Sequence, residues 1–576
     1  MRLLVAHGSG FLGSYVRTVV HLRPSQVAHR VRLRAQLAVL PRFPQAGRMV
    51  LSGPDPSAAV GWPDAVRPVD ALTPGRWPGL LELQAGKITL LGLVRELENA
   101  SGWEHAGAPR LWRFHLHYWD WAWGLAADPD QLAARALFAR LWRSWHAAAE
   151  FGRADAWHPY PTALRAWSWC GLHRDLAAGS DIEPDFVAAL SAHAGFLRRH
   201  LEYDLGGNHL IKDLKALVGL AVFFADERLL QQALRRLVRQ LTKQVLADGG
   251  HYERSPAYHC QVLADLTDVV DLLRTAGRSP VGEITEAVER MRRWLDAVLG
   301  PDGQVPMLND GYPVDRELLN VLLPDPVTPA SPLLVLPATG LVRAVAGGWH
   351  LLADVGPPCP PSLPGHAHAD TLGFLLHVDT VPLLIDTGTS TYESGPVRHH
   401  ERSTAAHSTV EVDGTDSTEV WGVFRAGRRA RVSGLAAHAD SSRVTCEAVH
   451  DGFRCLSGRP LHRRRWSLTS DGLRVDDVVT GRGRHEIVVR WQLAVGSAVR
   501  VADGTALITG PAGVFALTIA ATGPVVLATE TRPVATGFGS TVDALALVCR
   551  MDAALPVRVT TVWSRTRDRA GGEETT

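Results

Sequence analysis

Asp248-Gly-Gly-His-Tyr-Glu-Arg-Ser-Pro-Ala-Tyr-His259 joins two segments of helical periodicity. Asp-Gly-Gly is sufficient to turn the chain. A turn has no need of His251, Tyr252, Glu253, Tyr258 and His259, all proton-handling side chains in one short span. The stretch therefore reads as the floor of a cleft on a helical scaffold. Two further clusters are expected to reach it, Asn208-His209 from upstream and His366-Ala-His-Ala-Asp370 from downstream.

Outward from this turn the helical pattern is continuous. Leu210, Leu214, Leu217, Ala221 and Phe224 recur at helical spacing before it, and Val262, Leu266, Val269 and Leu273 after it. Helices are expected at about 131–152, 162–178, 184–203, 208–224, 228–247, 257–277 and 283–299, with short connections, as in helical hairpins set in a ring. The Pro-rich run at 323–332 changes the pattern. Short β runs follow, such as Leu341-Val-Arg-Ala-Val345, Phe374-Leu-Leu-His-Val378 and Arg465-Trp-Ser-Leu468, with turns at Thr469-Ser-Asp-Gly472 and Ala502-Asp-Gly504. They predict a large antiparallel sandwich. Residues 1–85 read as an N-terminal arm whose Pro- and Gly-rich part, 40–85, is extended. The division is then 86–330 helical, 331–564 sandwich and 565–576 a disordered tail.

Composition excludes several classes. Of 576 residues 46% are hydrophobic and the net charge is +1, which gives no basic surface for nucleic acid. No apolar run is long enough to span a membrane. The six cysteines are scattered, with no CxxC pair to frame a disulfide or zinc scaffold. The start shows no signal-peptide pattern. The cytoplasm is the default compartment, with periplasmic or extracellular placement left open, and oligomeric state is not legible. Gly8, Gly10 and Gly13 fit a dinucleotide fingerprint, but no strand ending in an acid follows, so a dehydrogenase is set aside. The 18 tryptophans read as core, with a few free to stack on sugars.

Asn208 is placed as a helix N-cap, yet a cap leaves His209 unexplained. An amide at a helix start can also bind a substrate carboxylate. Tyr258, with a reference pKa of about 10, needs nearby cations to act as a base; His209, His259 and Arg254 are candidates. His366-x-His368 puts two imidazoles on one side of an extended chain, a spacing that suits catalysis or a metal. Asp386 or His407 would be a third ligand. In Trp112-Arg-Phe-His-Leu-His-Tyr-Trp-Asp-Trp-Ala-Trp123, His115, His117 and Tyr118 read as another wall of the cleft.

Taken in order, Phe114-His-Leu-His-Tyr118, His158-Pro-Tyr-Pro-Thr162, Gly207-Asn-His-Leu210, the 248–259 stretch, His366-Ala-His-Ala-Asp370 and Ser403-Thr-Ala-Ala-His-Ser-Thr409 resemble the motifs of the heparinase II/III superfamily of polysaccharide lyases. The resemblance implies an α+β multidomain fold, an incomplete (α/α) toroid followed by a large antiparallel β-sandwich. It implies β-elimination at a 4-linked uronic acid of an acidic polysaccharide or oligosaccharide. Asn208, with His209 beside it, would neutralise the uronate, Tyr258 would move the C5 proton, the leaving-group proton or both, and His366 would be the second acid–base group. His115, His117, Tyr118, Tyr252, Glu253, Arg254 and His259 would contact substrate. His368, Asp386 and His407 would hold a structural zinc. Ser408 stands where the family usually has Asn, which alters the surroundings of His407. A zinc hydrolase is disfavoured because Thr371, and not a second His, follows Asp370. A non-catalytic glycan-binding or assembly protein on the same scaffold would have no need to keep Asn208 and Tyr258.

Overall fold

A computed structural model of the chain describes residues 12–566 apart from 65, 70–76, 98–102, 154, 325–330 and 503. Gly8, Gly10, Asp503, most of the Pro-rich run after Leu323 and the end of the expected tail from 567 on lie outside the described residues.

The first half is built from helices in two roles. Glu227–Gln244 is an outer helix, buried along Leu230, Leu234, Leu237 and Leu241 and polar on its other side. Gly207–Phe223 is an inner one, buried at every residue but His209. Pro159–Leu172 and Pro256–Thr275 are likewise inner, and Glu183–Arg199 and Gly282–Val298 outer. Gly207–Phe223 packs on Pro159–Leu172, Glu227–Gln244 and Pro256–Thr275. Two of the inner helices are also tied by charge: Lys212 and Lys215 reach Asp265 at 2.8 and 2.9 Å, and Lys215 reaches Asp268 at 2.5 Å. This is the α/α toroid.

The second half is antiparallel throughout its paired strands. An eight-stranded sheet runs in the spatial order Val432–Ala439, Val444–His450, Leu461–Thr469, Gly472–Thr480, Val557–Arg565, Gly513–Ala521, Thr505–Gly510 and Ala498–Ala502. It packs with a four-stranded sheet (Val526–Gly537, Ser540–Ala554, Arg484–Gln492, Val410–Val412) and a five-stranded one between Leu333 and Leu384. One apolar core, including Trp466, Trp491 and Trp563, fills the sandwich. In the helical half Trp112, Trp119, Trp121, Trp142, Trp145 and Trp169 are fully buried, so these tryptophans are core.

The N-terminal arm holds helices, and one of them, Pro44–Leu51, falls within the stretch 40–85 read as extended. Pro24–Val39 and Pro44–Leu51 each carry proline in the first turn, where no amide donor is needed. Pro44–Leu51 lies on Glu183–Arg199 at Gly195, where a Cβ would come within 2.6 Å of the Leu51 backbone. Helix does not begin at 86 either. Lys87–Leu90 and Leu93–Glu96 form a hairpin whose Leu91-Gly92 turn has positive φ at both positions.

Candidate active site

The 248–259 turn is fastened on three sides. Asp248 Oδ2 accepts from the Thr339 amide at 2.7 Å and its hydroxyl at 2.9 Å. Arg254, at φ +64, donates to the carbonyls of Ala338 and Thr339. The His251 amide donates to His259 Nδ1 at 3.1 Å, and His259 Nε2 meets the Met291 carbonyl at 3.0 Å. Between these anchors stands Glu253, 2% exposed.

Glu253 organises the cluster. Its Oε1 accepts from the Asn208 amide at 2.8 Å, and its Oε2 accepts from Asn208 Nδ2 at 2.9 Å. His366 Nε2 lies 3.1 Å from the same Oε2. The approach requires glycine at 207, where φ is +57 and a Cβ would fall 1.8 Å from Glu253 Oε1. Asn208 is not the helix cap, because the helix starts at Gly207 with Gly206 as its cap. The Asn208 Oδ1 is buried without a hydrogen-bond partner.

His366 Nδ1 is 2.9 Å from Asp310 Oδ2, and His368 Nε2 is 2.9 Å from Asp310 Oδ1. The His-x-His spacing thus aims both rings at one buried carboxylate. Arg398 completes it, 2.6 Å from Oδ1 and 2.9 Å from Oδ2. The Tyr258 ring lies 3.8 Å from that of His366, and its hydroxyl is 2.8 Å from the Tyr392 hydroxyl. His209 stands beside this group, 3.2 Å from Glu202 and with its ring 4.1 Å from Tyr160. The site meets solvent at His209, with its side chain 31% exposed, and at His366 with 13%.

The charges follow from these contacts. Burial opposes a charge on His366, but bonds to Asp310 and Glu253 outweigh it and push the imidazole up to about 9. Burial likewise opposes the Glu253 carboxylate, yet His366, followed by His251 and Asn208, holds it at about 2. Asp310 is kept well below the usual carboxylate range against burial, mainly by Arg398 and His366. Tyr258 is raised well above its ordinary value by burial, with Tyr312 and Asp310 adding to it. At rest the site is a neutral phenol beside an imidazolium held by two carboxylates.

The structure gathers Asn208, Glu253, Tyr258 and His366, with His209 adjoining. Tyr118 is buried 5.9 Å from Tyr160 and contacts His115, so both belong to the wall behind it. Tyr252 accepts from the Gly207 amide at 2.9 Å and shapes the turn. Three expected contacts are corrected. His117 accepts from Trp145 Nε1 at 3.1 Å within the aromatic core, and burial lowers it to about 3. His259 is fully buried against Trp294. Arg254 spends its guanidinium on the 338–339 backbone. Composition shows that such groups are polar, not which way they face. Asp310, Tyr392, Tyr160 and Arg398 were not singled out in the sequence. Asp310 sits in an Asn-Asp-Gly turn that reads as turn chemistry alone, and Tyr160 lies inside a quoted motif.

The residues expected at zinc adjoin the cluster. His407 Nδ1 is 2.9 Å from Asp386 Oδ2, and the His368 and His407 rings are 5.3 Å apart. Among the described residues no three His, Cys, Asp or Glu groups form a ready cage. The donors are nonetheless there: His368 Nδ1, His407 Nε2 and both oxygens of Asp370 are buried without partners.

Two family descriptions match the chain, Heparinase II/III N-terminus at residues 177–325 and Heparinase II/III-like, C-terminal at 328–562. FtsZ-localized protein C of Caulobacter vibrioides is 29% identical over 445 residues, 75% of either chain. Heparin-sulfate lyase of Bacteroides thetaiotaomicron is 26% identical over 148 residues, 23% of this chain and 21% of that one. The crystal structure of heparinase III superposes with a TM-score of 0.71 at 16% identity, covering 82% of this chain and 81% of that one, a likeness of fold.

Proposed function

Because the chain belongs to the heparinase II/III superfamily, we propose that it is a polysaccharide lyase cleaving glycans at 4-linked uronic acids by β-elimination. The observation that carries this reading is the Asn208–Glu253–His366–Tyr258 cluster, an amide and a cation held by one carboxylate with a phenol stacked on the cation.

A uronate carboxylate binds at the Asn208 amide, whose second N–H and unpartnered oxygen are left for substrate. Hydrogen bonding there stabilises the charge that builds on the carboxylate as the neighbouring C5 proton leaves. Tyr258, having first given its own hydroxyl proton to solvent, takes that proton as the phenolate. A phenol this buried is a poor base, and the imidazolium of His366 against its ring offsets the charge of the phenolate. The C5–H electron pair forms the C4–C5 double bond, and the C4–O bond breaks. Tyr258 returns the proton to the departing glycosidic oxygen. Asp310 and Glu253 keep His366 charged and oriented, and Tyr392 holds the Tyr258 hydroxyl in place.

His368, Asp386 and His407 would hold a zinc ion, with the unpartnered carboxylate of Asp370 beside them. Bound there, zinc would supply a structural tie among the loops behind His366.

The test is ultraviolet absorbance during incubation with a panel of uronate polymers, wild type against Tyr258→Phe. A rise that the variant lacks supports elimination. New reducing ends without absorbance would refute it in favour of hydrolysis. A second reading, an assembly protein without turnover, is favoured by one observation: the match to an FtsZ-localized protein spans three quarters of the chain, the match to a lyase less than one quarter. Silence across the panel together with co-pelleting on FtsZ polymers would support that reading instead.

A further inference from the structure

The helix at residues 12–19 is mounted with its polar side inward. Ser14 Oγ donates to Glu419 Oε1 at 2.6 Å, and Arg17 Nε donates to Glu419 Oε2 at 2.8 Å. Thr18 accepts from Trp421 Nε1 at 2.9 Å and donates to the Ala426 carbonyl at 3.3 Å. These residues occupy one side at helical spacing. The opposite side carries Leu12, Val16, Val19 and, at the helix end, Val20, and it faces outward: Leu12 is 65% exposed, Val16 53% and Val20 70%. A surface helix of a globular protein does the reverse. The next two helices and the link between them continue the trend, with Val27, Val31, Val39, Phe43 and Met49 exposed.

The charge of this region is equally one-sided. No Asp or Glu precedes Asp55, whereas Arg2, Arg17, Arg23, Arg30, Arg32, Arg34, Arg42 and Arg48 do. Arg17 and Arg30 are paired with Glu419 and Asp204. Arg32 and Arg34 lie exposed on Pro24–Val39, among the same outward apolar side chains. Exposed aliphatic groups interleaved with arginines, with acids absent, match a bilayer interface, whose acyl boundary takes the apolar groups and whose anionic headgroups take the cations.

We propose that the helices of residues 12–51 dock the protein onto membrane surfaces bearing anionic headgroups. Docking is interfacial: no helix among the described residues is long and apolar enough to cross a membrane. The proposal is independent of the lyase reading. It follows that the helix is fixed to the sandwich through Glu419, Trp421 and Ala426, so that docking brings the whole molecule to the surface.

The test is co-sedimentation of the full chain with phosphatidylglycerol–phosphatidylcholine vesicles and with pure phosphatidylcholine vesicles. Binding is expected to the first and not the second, and to weaken with salt. Arg32→Gln/Arg34→Gln should weaken partitioning by roughly fivefold per arginine, and Val16→Asp/Val20→Asp should abolish it. All four side chains are exposed, so melting temperature should be unchanged. Absence of binding to anionic vesicles by wild type would overturn the proposal. So would binding that both variants retain, or a wild-type dimer by light scattering that Val16→Asp/Val20→Asp dissociates without any vesicle binding.

Discussion

Glu253→Gln keeps the shape of the side chain and removes its charge. Burial leaves no water to take over, so the effect should be large. His366 is raised from an ordinary 6.5 to about 9 in the folded protein. A group raised on folding contributes stability that is complete below its unfolded value and is lost as pH climbs through the folded one. At about 1.4 kcal/mol per pH unit, His366 contributes roughly 3 kcal/mol below pH 6.5 that is gone above pH 9. Asp310 and Glu253 share that sum, so the glutamine variant should keep about half of it. Removing one partner of a buried pair leaves the other uncompensated, and a cost of about 3 kcal/mol near neutral pH is expected. The low value of Glu253 reports the same contact from the other side and is not added. Urea unfolding at steps from pH 6 to 10 checks this. His407, raised to about 9 when no zinc is bound, is the same in both proteins and cancels in the difference. The gap between wild type and variant should narrow by roughly 1–2 kcal/mol as pH rises. A gap that stays constant across the range would refute the charged His366–Glu253 pair.

Three further outcomes are expected. Tyr258→Phe should lower the elimination rate by about 10²–10⁴-fold, the usual worth of a positioned acid–base group; it should cost only about 1 kcal/mol of stability, the one bond to Tyr392, as seen by paired kinetics and melting. Gly207→Ala should abolish activity and lower the melting temperature, because its Cβ would have to occupy the place of Glu253 Oε1; near-wild-type kinetics would contradict the close approach. Metal analysis should find one zinc per chain, and exhaustive chelation should lower the melting temperature while His407→Ala becomes insensitive to chelator.

Legibility in the sequence followed periodicity. The helices around 207–275 repeat apolar residues along one face, and their bounds are close to those expected. The N-terminal helices were hidden because Pro24 and Pro44 look like breakers when they are starters. The hairpin at 87–96 is too short to show against the helical pattern beyond it. At the site, residues with a partner close in sequence were readable: His366 and His368 declare each other, as do Asn208 and His209. Asp310 and Arg398 were not, since each is an ordinary residue made special only by distant neighbours. His117 and His259 fail in the opposite sense. Their hydrogen bonds to Trp145 and to the Met291 carbonyl satisfy them inside the core, and no local pattern announces such a partner.

Glu253 and Asp310 are supplied by the N-terminal part of the chain, and the charged His366 and Arg398 by the C-terminal part. The seam between toroid and sandwich is therefore drawn through a set of opposite charges. Separated, one piece would be left with two buried acids and the other with the cations that answer them. Architecture divides this molecule in two; thermodynamics does not. Neither piece should melt as a smaller copy of the whole, and recombination in evolution would have to exchange both at once or rebuild the seam.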